Sequence, residues 1–359
     1  MKLKDILPLG NKEIILSALI FTLIVVSTFT SRQIRLHSDS AIIASEKTNI
    51  QLPDKSNLDE LVAVFDKAGI LYNKEELYWA ARILGWRTFR KGNYSLHGSY
   101  SYEQLLSTMA KGIQDPVSIV VLPGITINRL ARSLSRQLAF DSLAVMQVFS
   151  DSVFLKQTGF NQEELFGRML PETYLMYWTS SPEDVVNRML KEFNDRTASA
   201  YKNADNDFDL SIDEVLTLAS IVEWEAKDEN EKPVIAGLYY NRLKRRMHLQ
   251  ADPTINFALG ERRRLLFEDY ELDHPYNTYK NYGLPPGPIT NPALSTIKAV
   301  INYDHHNYLY MVANPEGGHT FTRTYEQHLV ESEKWRRWLQ KQYRIKRQRE
   351  REAAAQLNN

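Results

Sequence analysis

Residues 211–254 read SIDEVLTLASIVEWEAKDENEKPVIAGLYYNRLKRRMHLQADPT, and this stretch decides the fold. Ser211 with Glu214 three residues on is a capping box, so a helix starts here. Val215, Leu218, Ala219, Val222 and Ala226 recur at helical spacing, while Ile221 and Trp224 fall on other faces. A helix apolar nearly all round is a buried one. Glu223 lies at the edge of its apolar stripe. Apolar surroundings disfavour a charged carboxylate, and a carboxyl kept protonated near neutral pH suits the protonation of a poor leaving group such as a glycosidic oxygen. The alternative for Glu223 is a structural pairing with Lys or Arg. Glu225 is two residues further on, and the two side chains point roughly 160° apart, so they cannot flank one bond.

Upstream, residues 14–30 (IILSALIFTLIVVSTFT) carry no charge. Their length is near the lower end of the ~17–25 residues that a spanning helix needs, and long for a signal-peptide core. We read an uncleaved membrane anchor, with a cleaved signal or a buried helix as alternatives. Residues 1–13 precede it. Residues 31–49 are polar and aperiodic and read as a linker, with a short strand near Ile43. Residues 50–116 predict a small α/β module: helices capped at Asn57 and starting at Lys74, strand-like residues 88–96, and a helix from Tyr102. Residues 117–122 (VSIVVL) predict a strand, followed by a helix capped at Thr126, and residues 117–340 form the larger mixed α+β domain. Residues 341–359 are densely charged and read as a solvated helical tail.

The 359 residues include 44 basic and 44 acidic side chains, a balance that makes no electrostatic case for nucleic acid. With no cysteine, disulfide and thiolate chemistry are excluded. No HExxH, no G-x-S-x-G and no phosphate loop occurs, and His305 and His306 are adjacent, which suits metal ligation poorly. We expect neither metal nor cofactor.

Several polar and aromatic clusters follow. Gln250, Asp252 and Thr254 could hold hydroxyl groups or equally satisfy backbone groups of a turn, and Pro253 pushes Asp252 towards an extended backbone. Tyr276, Asn277, Thr278 and Tyr279 set aromatic rings beside an amide, a combination that suits a sugar face and its hydroxyls. Leu284, Pro285 and Pro286 belong to GLPPGP, a stiffened loop. His319, in GGHTF, either orients a substrate or is structural.

LASIVEWEA, IAGLYYNRL, MHLQADPT, YNTY, GLPPGPI and GGHTF, in this order, resemble the YceG-like (MltG) family of endolytic murein transglycosylases, most closely over residues 166–338. Residues 166–174 (FGRMLPETY) fit as well, whereas Pro123 stands where the family has an acidic residue. The resemblance implies an α+β enzyme with a LysM-like N-terminal module, an anchor in the cytoplasmic (inner) membrane and a catalytic domain on its outer, periplasmic side. It implies Glu223 as the catalytic acid, and the residues of the clusters above as glycan contacts. The substrate would be nascent peptidoglycan strands, cut between N-acetylmuramic acid (MurNAc) and N-acetylglucosamine (GlcNAc), which ends strand elongation. One acid suffices if the muramic C6 hydroxyl attacks its own C1: Glu223 would protonate the leaving oxygen, then accept the hydroxyl proton, leaving a 1,6-anhydro end. Strand synthases are the implied neighbours. The rival readings are a tethered murein-binding protein, a hydrolytic muramidase and a wall scaffold.

Overall fold

The computed structural model describes residues 10–202 and 210–357, a mixed α+β chain whose contacts divide into two compact units. One comprises Met1–Val117 with Leu175–Ser180, the other Ser118–Tyr174 with Ser181–Asn359.

The first unit begins with α1 (Asn11–Leu36), which among the described residues is the one helix long and apolar enough to cross a membrane. Its apolar side chains are exposed, Phe21 and Leu23 to about 70 %. The helix overruns the expected anchor into the expected linker. Arg35 ion-pairs with Glu76 at 2.6 Å and stacks over Trp79 at 3.8 Å, which holds the last turn in place. What remains of the linker is largely strand β1 (Ile42–Leu52), with β2 (Ser56–Asn57), α2 (Leu58–Lys67), α3 (Lys74–Leu84), β3 (Thr88–Phe89), β4 (Gly92–Tyr100) and α4 (Tyr102–Lys111) after it. β1 and β4 pair antiparallel from Ile42↔Tyr100 to Leu52↔Gly92, with an irregularity between Ala44 and Thr48. That break in register is why no clean alternation is readable in residues 42–52. Asn57, Asn73 and Ser101 cap α2, α3 and α4, and Leu61, Phe65, Leu77, Phe89 and Leu105 fill the core beneath.

The chain passes between the units within the short strands β5 (Pro116–Val120) and β6 (Thr173–Tyr177). The second unit carries α5 (Ile127–Ser135), α6 (Ser142–Ser150), α7 (Ser152–Thr158), α8 (Gln162–Gly167), α9 (Pro182–Lys202), α10 (Ile212–Glu225), α11 (Lys232–Lys244), α12 (Asp252–Leu259), α13 (Leu294–Ile301), the hairpin β7 (Tyr310–Ala313) and β8 (His319–Thr322), and α14 (Tyr325–Leu357). Its centre is α10. The Ser211–Glu214 capping box closes the N-terminus, and every residue from Val215 to Val222 is buried. α11 and α13 pack against it, and Ile235, Tyr239, Ile297 and Val300 share its core.

Polar groups inside this core are matched. The Ser220 hydroxyl donates to the Thr217 carbonyl and accepts the Ile289 N–H at 2.9 Å. Asn291 donates to the carbonyls of Leu122 and Met169, and Thr290 donates to that of Ile125. The proline-rich loop is thereby stapled to α10 and to the turn before α5, as buried polar groups require.

Candidate active site

The end of α10 sends its two glutamates to different sides. Glu223 turns to α13: its Oε2 accepts from the Thr296 hydroxyl, from the Ala293 N–H at 3.0 Å and from the Lys232 ammonium at 3.5 Å. Lys232 is itself 2 % exposed and also bonds Glu229 at 2.5 Å and Thr296 at 2.7 Å. Glu223 therefore sits in a closed polar network, which differs from the apolar edge expected of it. The helical stripe is apolar, but the side chain reaches past it to partners from α11 and α13.

Glu225 has the environment expected for an acid. Burial pushes its carboxyl from 4.5 up to about 7. The Tyr239 hydroxyl, donating to Oε1 at 2.9 Å, pulls the other way; Asp252 adds to the rise, and His319 and Arg242 oppose it. Burial and the neighbouring carboxylate raise Tyr239 well above its ordinary value, so the phenol is protonated and remains a donor.

Asp252 stands at the first position of α12, not in an extended stretch. Pro253 occupies the first turn of that helix, where its missing N–H leaves no bond unmade. The Asp252 carboxylate is exposed; its Oδ1 accepts from Tyr279 at 2.6 Å and more distantly from Tyr270 at 3.4 Å. Burial and Asp252 raise both phenols, which keeps them as donors. Asp252 also lines a cavity of about 700 Å³ with Asn256, Arg264, Phe267 and Tyr270. A second cavity of about 380 Å³, lined by Trp224, Asn256, Phe257 and Arg262, shares Asn256 with it. Neither is lined by Glu223 or Glu225; Asp252 is the member of the carboxyl cluster that reaches the larger one.

Gln250 precedes Asp252 with φ at +51°, a conformation that L side chains rarely adopt. Its N–H is tied to the Thr278 carbonyl at 3.1 Å. The guanidinium of Arg242 grips the carbonyls of Leu249 at 2.6 Å and His248 at 3.3 Å just before it. Such locally strained backbone clusters at functional sites. The Gln250 side chain is exposed.

The remaining expected contacts divide by burial. Thr254, Asn277 and Thr278 are 0–1 % exposed, and their polar groups bond one another and the backbone. The Thr254 and Thr278 hydroxyls meet at 2.9 Å, and Asn277 donates to the carbonyls of Tyr270 and Leu272. Tyr276 packs its ring on Phe257 at 4.5 Å and is buried, as is Pro285. These five hold the loops together and offer little or no surface to a ligand. Tyr279 and Leu284 are half-buried, Pro286 is exposed, and His319 is partly exposed next to Glu231. Tyr239, Tyr270 and Glu231 escaped the sequence reading: the apolar run of α11 hid Tyr239, and Glu231 meets its partner only 88 residues on. Among the described residues, no three His, Asp or Glu side chains gather to hold a metal ion.

The sequence pattern of the YceG-like family matches residues 50–334. The endolytic murein transglycosylase of Bacillus subtilis is 30 % identical over 304 residues, covering 80 % of this chain and 84 % of that protein. The endolytic murein transglycosylase of Streptococcus pneumoniae (strain D39) is 29 % identical over 345 residues, 86 % of this chain. The chain spans only 62 % of that longer relative. A crystal structure of the yceG-like protein lmo1499 of Listeria monocytogenes superposes with a TM-score of 0.57 at 28 % identity, covering 80 % of this chain and 99 % of that one. The chain belongs to the YceG-like family.

Proposed function

We propose that this chain is a membrane-anchored endolytic murein transglycosylase in which Glu225, not Glu223, is the general acid. The observation that carries the assignment is the Glu225 carboxyl, desolvated and protonated up to about pH 7, beside a second carboxylate that reaches a large cavity. Glu223 lacks that freedom, since an ammonium, a hydroxyl and an amide already bind its Oε2. The names of the Bacillus and Streptococcus relatives supply the substrate class.

In this reading a glycan strand lies along the cavity at Asp252. Glu225 protonates the oxygen that leaves the muramic C1, and Tyr239 holds the carboxyl in place. The Asp252 carboxylate faces the positive charge that develops on the sugar ring, a role that fixed charges in a water-poor site fill well. The C6 hydroxyl of the same muramic residue closes on C1, its effective concentration set by the ring itself. The products are a 1,6-anhydroMurNAc end and a released GlcNAc end.

α1 anchors the enzyme in the cytoplasmic membrane, with residues 1–13 on the cytoplasmic side and the residues after the anchor outside, confining cleavage to nascent strands near the bilayer and ending their elongation. Residues 50–116 form the LysM-like module, residues 117–340 carry the catalysis and residues 341–359 are a solvated tail. Peptidoglycan synthases are its neighbours. Tyr279, Gln250, Leu284, Pro286 and His319 are the expected contacts that retain exposed surface for glycan.

The test is product analysis. Full-length protein in detergent is incubated with murein, and the ends are weighed by mass spectrometry. Anhydro ends from the parent, absent with Glu225→Gln and retained with Glu223→Gln, support the proposal. Ends one water heavier assign a hydrolase, with Asp252 as its second carboxylate. Binding without cleavage assigns a tethered murein-binding protein.

A further inference from the structure

The turn into β8 builds an acid–imidazole pair, whose imidazole is among the groups that act on the Glu225 carboxyl. Glu231 Oε1 accepts the His319 backbone N–H at 2.6 Å, and Oε2 lies 2.9 Å from His319 Nδ1. Gly318, at φ +70°, makes the approach possible: a Cβ there would stand 2.3 Å from Glu231 Oε1. Both side chains are mostly buried, at 17 % and 18 % exposure. A carboxylate only accepts, so Nδ1 carries the hydrogen of this contact, and the neutral ring then presents a bare lone pair at Nε2. Among the described residues Nε2 has no protein partner. The charged groups facing this imidazole are Glu231, from the 3-10 turn before α11, and Glu225, from the end of α10; from its own strand the apolar ring of Phe321 lies 6.2 Å away.

Ring closure has a requirement that Glu225 cannot meet alone. While it still holds the proton it is about to give, it cannot take one. A hydroxyl attacks better when its proton leaves as the bond forms, and that calls for an acceptor positioned by a third group.

Resting on the transglycosylase reading above, we propose that His319, oriented by Glu231, is the general base of ring closure. Nε2 takes the proton of the C6 hydroxyl as O6 attacks C1. The C1–O6 bond forms from an oxygen lone pair; the C1–O4 bond breaks with its electrons on the departing oxygen, which takes the proton of Glu225. The step ends with an imidazolium and a carboxylate, and transfer of one proton from His319 to Glu225 through solvent restores both. Glu231 is a positioning residue that fixes the tautomer.

The test is kcat/KM against pH for the full-length protein in detergent, acting on murein, with the ends weighed at each pH. The parent should lose activity on an alkaline limb set by Glu225. His319→Asn should lose about 10²–10⁴-fold in kcat and keep the alkaline limb, with anhydro ends in what activity persists. Glu231→Gln should lower kcat with KM unchanged, and Glu231→Asp should recover part of the loss; a purely structural Glu231 would change kcat and KM together. This second variant decides the matter if His319→Asn fails to fold by circular dichroism. A kcat unchanged in both variants, or a loss of activity seen only with Asp252→Asn, overturns the assignment while leaving the transglycosylase reading intact. A parent that yields no anhydro ends overturns both.

Discussion

Replacing Glu225 by Gln should abolish cleavage and at the same time stabilise the protein, but only at alkaline pH. The folded carboxyl holds its proton up to about pH 7, against 4.5 for an ordinary glutamate. Between these values the folded state binds a proton that the unfolded chain has released, so stability falls as pH rises. The contribution is fully present below 4.5 and lost once pH has passed about 7. The difference amounts to roughly 3 kcal/mol. Gln keeps an oxygen for the Tyr239 hydroxyl and carries no charge to desolvate or to repel Asp252. The variant and the parent should therefore unfold at similar urea concentrations near about pH 4, whereas near about pH 9 the variant should gain roughly 3 kcal/mol, or about 4 °C in Tm. Urea titrations across this pH range, scored beside murein cleavage, measure both effects. A stability difference that does not change with pH, or one that favours the parent at alkaline pH, would refute the assignment of a desolvated proton-holding carboxyl to this position. A gain in stability with loss of activity is the signature of a group kept for function at a cost to the fold.

Lys232→Met should cost about 3–5 kcal/mol in urea unfolding, because it leaves Glu223 and Glu229 without their shared buried cation. Glu223→Gln should keep most of the cleavage activity, and an activity loss equal to that of Glu225→Gln would restore Glu223 as the acid. Asp252→Asn removes a charge that raises the Glu225 carboxyl, so the alkaline limb of the pH–rate profile should move to lower pH; a limb that stays put separates the two groups. Gly318→Ala drives a methyl into Glu231 at a backbone angle unsuited to L residues, and should lower kcat by at least about tenfold if the Glu231–His319 pair is oriented as we infer. Unaltered turnover by that variant would show the pair to be idle.

Much of the scaffold was legible because it is written locally. The Ser211–Glu214 box, the all-round apolar run of α10, the caps at Asn57 and Asn73 and the uncharged stretch of α1 each act within a few residues, on the scale at which hydrogen bonds and helical periodicity operate. β1 was read largely as linker, since its pairing with β4 is interrupted and its partner lies some 40–60 residues away. Pro253 argues locally for an extended Asp252, although both sit in the first turn of α12, where a proline is tolerated.

The order of motifs along the chain was enough to point to the family, and the resemblance put the acid at Glu223, the first of two glutamates on one turn of α10. Choosing between them was beyond any local rule. Glu223 is tied down by Thr296, 73 residues later, and by a lysine that α11 delivers; Glu225 is desolvated under Tyr239, with Asp252 and His319 brought in from two other elements. Helical geometry states that the two side chains diverge. Which of them meets an ammonium and an amide, and which is desolvated against a phenol, depends on what the rest of the chain packs against each face, and only the tertiary structure decides that.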